Sequence, residues 1–187
     1  MVWAWIDPPS SNDSVWLTLN HSLTTLRTFQ CPEKSDLIDS SAYYNASRHT
    51  RSIVEAYDCL PVARSERIVS FALKRKQEEC LDISQAVHHP VFVQTKSGVV
   101  DTFSVVIVMN CLPCVDIKKS NIRSWVVENE FTIDYEGLTF RNDCLMNLDI
   151  AADTTTGHII VSDKLKSALS KTPFKGLYFA QGVELES

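Results

Sequence analysis

Short apolar segments separated by tight turns recur through this sequence, most densely after residue 90. They are 2–6, 15–19, 91–94, 102–109, 125–127, 131–135, 138–140, 158–161 and 177–180, with Lys96-Ser97-Gly98 and Glu136-Gly137 as turns between neighbouring segments. Short segments rich in valine, isoleucine and aromatic residues, joined by such turns, are typical of antiparallel strands. They argue against a doubly wound parallel sheet, in which helices alternate with strands.

Two further segments have the spacing of amphipathic helices. In residues 65–80, the Ser65 hydroxyl can accept a hydrogen bond from the first turn, and an apolar stripe of Ile68, Val69, Ala72 and Leu73 follows. Residues 162–171 begin in the same way, with Ser162, an acid, a base and an aliphatic residue. Two independent uses of good capping chemistry explain this similarity, which does not by itself indicate a repeat array.

The pattern therefore predicts an α+β fold, a single domain with a largely antiparallel sheet and a few flanking helices. A chain of 187 residues with 44% hydrophobic content can bury a sizeable core without a metal or a disulfide. We expect residues 1–60 to form a strand and loop region that packs on a core region of residues 61–187.

The net charge and the amino-terminal segment reduce the number of functional classes that fit the sequence. The net charge of −5 argues against general nucleic-acid binding, which requires a basic surface. Six apolar residues followed by Asp7 and two prolines do not match a signal peptide, and the apolar run 105–109 is too short to cross a membrane. We expect a cytoplasmic protein whose six cysteines are reduced.

Cys111-Leu112-Pro113-Cys114 is the one motif with catalytic character. A CxxC pair at the start of a helix can exchange disulfides, but no strong helical pattern follows this pair. A structural zinc site would need two more ligands, and spacing does not tie Cys144 or His88-His89 to the pair. His88-His89-Pro90 is expected to be a surface turn. We predict no catalytic residues, no metal and no cofactor, with the thiols as incidental buried groups.

Acidic residues accumulate between residues 126 and 163, where only Arg141 opposes them. They are Glu128, Glu130, Asp134, Glu136, Asp143, Asp149, Asp153 and Asp163. In an alternating strand, Glu130 and Asp134 lie on one face while Phe131, Ile133 and Tyr135 lie on the other. Such an acidic face is either simply solvated or a surface that steers and holds a basic partner.

A series of short motifs between roughly Pro61 and Ala180 links the chain to a known family. They are Leu60-Pro61-Val62 before the Ser65 helix, strand 105–109 with Asn110-Cys111-Leu112-x-x-Val115-Asp116 and Ser120, Glu130-Phe131, Leu138-x-Phe140, Ile160-Val161-Ser162 with the Leu165 helix, and Lys175-Gly-Leu-Tyr-Phe179. In these motifs the sequence resembles immunity protein family eleven of bacterial polymorphic toxin systems. The CxxC pair is not part of the family pattern.

The resemblance implies binding rather than catalysis. Such a protein binds and neutralises a cognate secreted toxin domain, often a nuclease delivered by contact-dependent routes such as type VI secretion. A basic nuclease suits an acidic partner, so Glu128, Glu130, Asp134 and Glu136 are the candidate toxin-binding residues, with no direct nucleic-acid or membrane partner expected. Trp3, Trp5, Trp16 and Trp125 are candidates for an apolar interface centre or for core packing. Two alternatives stay open: a small thiol oxidoreductase that uses Cys111 and Cys114, and an adaptor that holds an effector without inhibiting it.

Overall fold

A computed structural model describes residues 1–7, 15–19, 42–62, 67–127 and 130–184. In chain order its elements are β1 (Val2–Ile6), β2 (Thr18–Leu19), β3 (Ala42–Ala46), α1 (Arg51–Glu55), β4 (Cys59–Pro61), β5 (Arg67–Ser70), α2 (Phe71–Glu78), β6 (Ala86–Thr95), β7 (Gly98–Val108), β8 (Cys111–Leu112), β9 (Asn121–Val127), β10 (Glu130–Thr139), β11 (Ile150–Asp153), β12 (Ile159–Ser162), α3 (Asp163–Leu169), β13 (Tyr178–Ala180) and β14 (Gly182–Glu184).

The described strands form three sheets. Their strand orders are β2-β3-β6-β7-β5-β4, β13-β1-β12-β11-β8 and β14-β10-β9. Most neighbours are antiparallel, but β3 pairs with β6 and β11 pairs with β8 in parallel. A parallel pair needs a long crossover, and both pairs have one because several elements separate their strands along the chain. The predicted α+β fold with flanking helices is confirmed, but the described strands form three sheets rather than one, and two of these sheets are mixed.

The predicted hairpin around Lys96-Ser97-Gly98 is confirmed, and its strands β6 and β7 are longer than expected. His88 pairs with Val106 and Pro90 pairs with Ser104, so His88-His89-Pro90 belongs to β6. The prediction of a surface turn there was wrong, because β7 extends to Val108 and offers these residues a partner.

Strand β10 runs without interruption through Glu136-Gly137, where the sequence predicted a turn. Tyr135 pairs with Ile122 and Gly137 pairs with Asn121, so the register shifts by one residue between them. This is a β-bulge, for which glycine is as suitable as it is for a turn. The bulge therefore shifts the alternation of core-facing positions along β10 by one residue. Tyr135 is half-buried before the bulge, and Leu138 is buried after it.

Helix α2 begins later than the sequence predicted. Residues Arg67–Ser70 form the strand β5, and the helix starts at Phe71 with Ser70 as its cap. The Ser70 hydroxyl accepts a hydrogen bond from the Leu73 amide at 3.3 Å. A helix from residue 65 was therefore wrong, although Ser65 itself lies outside the described residues. The predicted α3 is confirmed, with the Ser162 hydroxyl accepting from the Leu165 amide at 3.0 Å.

The same strand–strand–helix unit occurs twice, first as β4-β5-α2 and then as β11-β12-α3. In register, Cys59 pairs with Val69 as Ile150 pairs with Val161. The repeated sequence is Ile-Val-Ser-x-x-Leu-Lys, starting at Ile68 and at Ile160. The similarity seen in the sequence is therefore structural, but it aligns Ser162 with Ser70 rather than with Ser65.

Each unit closes with an aspartate that precedes its first strand. The Ser70 hydroxyl donates to Asp58 Oδ1 at 2.8 Å, and the Ser162 hydroxyl donates to Asp149 Oδ1 at 2.6 Å. The amides of both serines also donate to the backbone carbonyls of these aspartates. Each aspartate thus fixes the serine that caps the helix, so strand and helix are oriented together in both units.

The tryptophans differ in their surroundings. Trp5 is fully buried between the two larger sheets, so it packs in the core and is excluded as an interface centre. Trp3 is half-buried, donates from Nε1 to Asp163 Oδ1 at 2.9 Å and carries the Lys166 ammonium 4.3 Å from a ring centroid. Trp16 is 46% exposed, and Trp125 lies on β9, where side chains are not described.

Replacement of Gly176 by alanine is expected to lower the free energy of unfolding by about 3 kcal/mol, through backbone strain and a steric clash. Gly176 has a φ of +88°, and a Cβ there would lie 2.1 Å from the Cys59 carbonyl oxygen. The matched control is Gly98→Ala, because Gly98 also has a positive φ of +129° but has open space around it. Urea unfolding should show a loss of only about 1 kcal/mol for the control; equal losses would exclude the clash as the cause.

Candidate binding surface on the β9–β10 hairpin

The candidate site is built on the hairpin of β9 and β10, residues 121–139, which we call the acidic hairpin. β9 and β10 pair antiparallel from Val127 opposite Glu130 to Asn121 opposite Gly137, and β14 covers the other edge of β10. Ile122 and Tyr135 are half-buried and pack on the core below. The base of the hairpin is therefore anchored to the five-stranded sheet.

The structure places three of the four predicted acidic residues on β10. Glu130 and Asp134 are an even number of positions apart along the strand. Only the backbone of this part of the hairpin is described. Glu136 is exposed at the bulge and accepts a hydrogen bond from Asn121 Nδ2. Glu128 lies outside the described residues. Strand alternation thus supports a common face for Glu130 and Asp134.

Basic residues near the acidic hairpin are placed differently from the expectation. The register puts Arg123 opposite Asp134, a cation that precedes the acidic segment considered in the sequence. Arg141, which was expected to offset the negative charge of the acidic residues, donates a hydrogen bond from its guanidinium to the Pro113 carbonyl instead. The acidic hairpin therefore carries four carboxylates against one guanidinium in its sequence.

Residues 113–120 and 139–144 form the neck of the hairpin. Val115 and Phe140 form an antiparallel bridge, and the Asp116 amide donates to the Thr139 carbonyl at 2.8 Å. The Thr139 amide donates to the Ser120 hydroxyl at 2.9 Å. These bonds continue the antiparallel pairing of the hairpin down to the rest of the described protein, which we call the body.

A disulfide between Cys114 and Cys144 closes the neck. The two Cα atoms are 4.9 Å apart, and both residues are buried in the cluster that contains Leu138 and Phe140. The expectation that all six cysteines are reduced is therefore wrong for this pair and also for Cys111, which is disulfide-bonded as well. The structure also joins Cys114 to Cys144 rather than to Cys111, so the CxxC pair of the oxidoreductase alternative is not a bonded pair here.

Asp153 joins the neck to the body. Its carboxylate is 2% exposed, and Oδ1 accepts from the Cys114 and Val115 amides at 2.8 and 2.9 Å. Oδ2 accepts from the Thr155 amide, the Thr156 amide and the Thr156 hydroxyl at 2.8–3.0 Å. The sequence placed Asp153 in the acidic segment, but it does not contribute to an acidic surface, because it is buried and its two oxygens accept five hydrogen bonds inside the protein.

His158 forms a second contact between hairpin and body. Its Nε2 lies 3.1 Å from the Tyr135 hydroxyl of β10, and the two rings meet edge to face at 5.6 Å. Burial and the nearby Arg67 lower the pKa of His158 to about 4, against the opposing influence of Asp153. The imidazole is therefore neutral at pH 7, and its tautomer decides which partner donates the hydrogen bond.

The family model of the immunity protein family Imm11 matches residues 22–184 of this sequence, which include the hairpin, the neck and Asp153. The chain belongs to the Imm11 immunity protein family. The resemblance found in the motifs is thus confirmed, and the match begins well before Pro61, where those motifs start. A comparison with curated proteins found no match. Membership implies an immunity protein of toxin systems whose partner is a cognate toxin protein.

A metal site or a membrane-spanning helix would indicate another kind of function. Within the described ranges, no group of three or more His, Cys, Asp or Glu side chains is placed so that it could hold a metal ion. Of the helices that the structure describes, none has the length and apolar character required to span a bilayer.

Proposed function

We propose that this Imm11 protein neutralises a cognate secreted toxin domain in the cytoplasm by binding it with the acidic hairpin. The toxin is a basic protein, and a nuclease delivered by type VI secretion fits that description. The carboxylates of Glu128, Glu130, Asp134 and Glu136 take the places that substrate phosphates would occupy on such an enzyme. Residual free toxin is lethal, so we expect nanomolar affinity, about −12 kcal/mol.

The anchoring of the hairpin is the observation that supports this proposal. Its neck is closed by the Cys114–Cys144 disulfide and by the bonds of Asp153, and its base packs on the core through Tyr135. A hairpin held in this way loses little conformational freedom when a partner binds, so less of the binding free energy is lost in ordering it. Complementary charge at such a surface raises the association rate and fixes the orientation of the partner.

Charge reversal of all four candidate residues to lysine tests the proposal. We expect at least a hundredfold weaker affinity for the toxin domain encoded beside this gene and a reversed or lost salt dependence, since the attraction is electrostatic. Titration calorimetry at several salt concentrations measures both. Protection of cells that co-express the toxin should also be lost.

The matched control reverses four exposed acids on other surfaces, Glu55, Glu79, Asp82 and Asp101, and so changes the net charge equally. Its affinity should stay within a few-fold of the parent. Similar losses in both variants would show a general effect of net charge, and unchanged binding in the hairpin variant would exclude the hairpin as the interface. Binding without protection would identify a non-inhibitory adaptor.

A further inference from the structure

The Cys114–Cys144 disulfide encloses the whole acidic hairpin. The two cysteines are 30 positions apart, and the segment between them contains β9 and β10. The Cys114 amide donates to Asp153, and Cys144 lies in the turn that follows Phe140. Residues 113–120 are the incoming end of the neck, and residues 139–144 are its outgoing end. The bond therefore ties the outgoing end to the incoming end, which is fixed to the body.

The remaining contacts hold the two ends of the neck unequally. The incoming end is bonded to the buried Asp153 through Cys114 and Val115. The outgoing end is held mainly to the incoming one: the Arg141 amide donates to the Cys114 carbonyl at 2.9 Å, the Arg141 guanidinium donates to the Pro113 carbonyl, and Phe140 forms a bridge with Val115. Loss of the disulfide would thus leave the two ends joined by hydrogen bonds and packing alone, without a covalent link.

We propose that the Cys114–Cys144 bond is a redox switch that holds the acidic hairpin in its toxin-binding conformation, an inference that rests on the proposed function of the hairpin. Oxidation requires a small disulfide such as glutathione disulfide. The two thiols lose two protons and two electrons, an S–S bond forms between their sulfurs, and the S–S bond of the oxidant is reduced to two thiols. A dithiol or phosphine reductant reverses the step.

Two physical arguments support a switch rather than a purely structural bond. Disulfides in a reducing cytoplasm are usually transient or redox-sensing. Both sulfurs belong to buried residues, and two reduced cysteines are tolerated in an apolar cluster as small hydrophobic side chains. Reduction therefore removes a constraint on the hairpin without placing charge or unsatisfied polar atoms in the core.

The test compares the full-length protein after treatment with glutathione disulfide and after treatment with a phosphine reductant. Toxin affinity is measured by titration calorimetry, and amide hydrogen exchange is measured for residues 121–139. We expect at least tenfold tighter binding and slower hairpin exchange in the oxidised form. Cys114→Ala/Cys144→Ala should behave as the reduced form under both treatments, whereas Cys80→Ala, which changes a free thiol, should keep the full difference.

Three results would overturn the switch: absence of the Cys114–Cys144 peptide pair in non-reducing digests of the oxidised protein, hairpin exchange that does not respond to reduction, or equal toxin affinity of the two forms. Failure of the proposed function is distinguishable, because the charge-reversal variant is tested in the oxidised form. If that variant binds normally while hairpin exchange still responds to reduction, the hairpin is not the interface. If it loses binding while the two redox forms bind equally, only the switch is excluded.

Discussion

Replacement of Asp153 by alanine is expected to lower the free energy of unfolding by about 4 kcal/mol, because a buried carboxylate with several partners is lost. The variant removes the acceptor of the buried amides of Cys114 and Val115 and of the half-buried amides of Thr155 and Thr156. A buried amide without a partner is costly, and here two lose theirs together. Urea unfolding followed by circular dichroism measures the effect.

Two comparison variants separate the causes of this loss. Asp153→Asn keeps one carbonyl oxygen but directs an NH₂ group toward amides that are themselves donors, so a loss of similar size is expected. Asp143→Ala removes an exposed acid from the same acidic segment and should change stability by less than about 0.5 kcal/mol. If Asp153→Ala also stays below about 1 kcal/mol, water replaces the carboxylate and the neck does not depend on it.

Asp153 also shows where sequence reasoning reached its limit. In the sequence it is one of eight acids between residues 126 and 163, and nothing distinguishes it from the exposed Asp143. Its role depends on a loop 38 residues earlier, which only the tertiary fold brings to it. The same holds for Cys144, which is 30 residues from Cys114. Long-range partners of single polar residues leave no periodic signal.

Local patterns were sufficient where one period dominated. The alternation of the two strands around Lys96-Ser97-Gly98 and the capped helix after Ser162 were predicted because their neighbours in sequence determine them. At Ile68-Val69-Ser70 the pattern was ambiguous, since a short apolar run fits a strand as well as a helix. Pairing of β5 with β7 decides for the strand, and that pairing is tertiary. At Gly137 the presence of β9 likewise turns a predicted turn into a bulge.

The acidic face of Glu130 and Asp134 remains a prediction, in part because it too depends on the pairing of strands. The sequence supplied the charges and the alternation of Glu130 and Asp134, and family membership supplies the class of partner. The sequence could not show that Arg123 lies opposite Asp134 or that Glu136 lies at a bulge. Register between strands fixes both positions.

Lowering the pH from 7 to 5 is expected to reduce the free energy of unfolding by roughly 4 kcal/mol, about half from each of two buried histidines. Burial lowers the pKa of His88 to about 4, with Glu78 opposing the shift and Lys74 adding to it. Burial and Arg67 lower the pKa of His158 to about 4. In the unfolded chain both groups titrate near 6.5.

The sign follows from proton binding in the two states. Below pH 6.5 the unfolded chain binds a proton at each histidine while the folded protein does not, until the pH approaches 4. Stability is therefore full above pH 7 and falls as the pH decreases through this window. Between pH 7 and pH 8 it should be constant with respect to these two groups, which provides an internal reference.

Urea unfolding at pH 8, 7, 6 and 5 measures the slope, and His88→Gln and His158→Gln each should remove about half of it. Glutamine at position 88 can still reach Gln77, whose Oε1 lies 2.7 Å from His88 Nε2. His158 contacts Tyr135 of the hairpin, so its share of the acid effect should also appear as faster hydrogen exchange in the hairpin, whereas the share of His88 should not. A slope unchanged in the double variant would exclude both histidines as the cause of the acid effect. Asp149 could not take their place, because its lowered pKa acts mainly below pH 4.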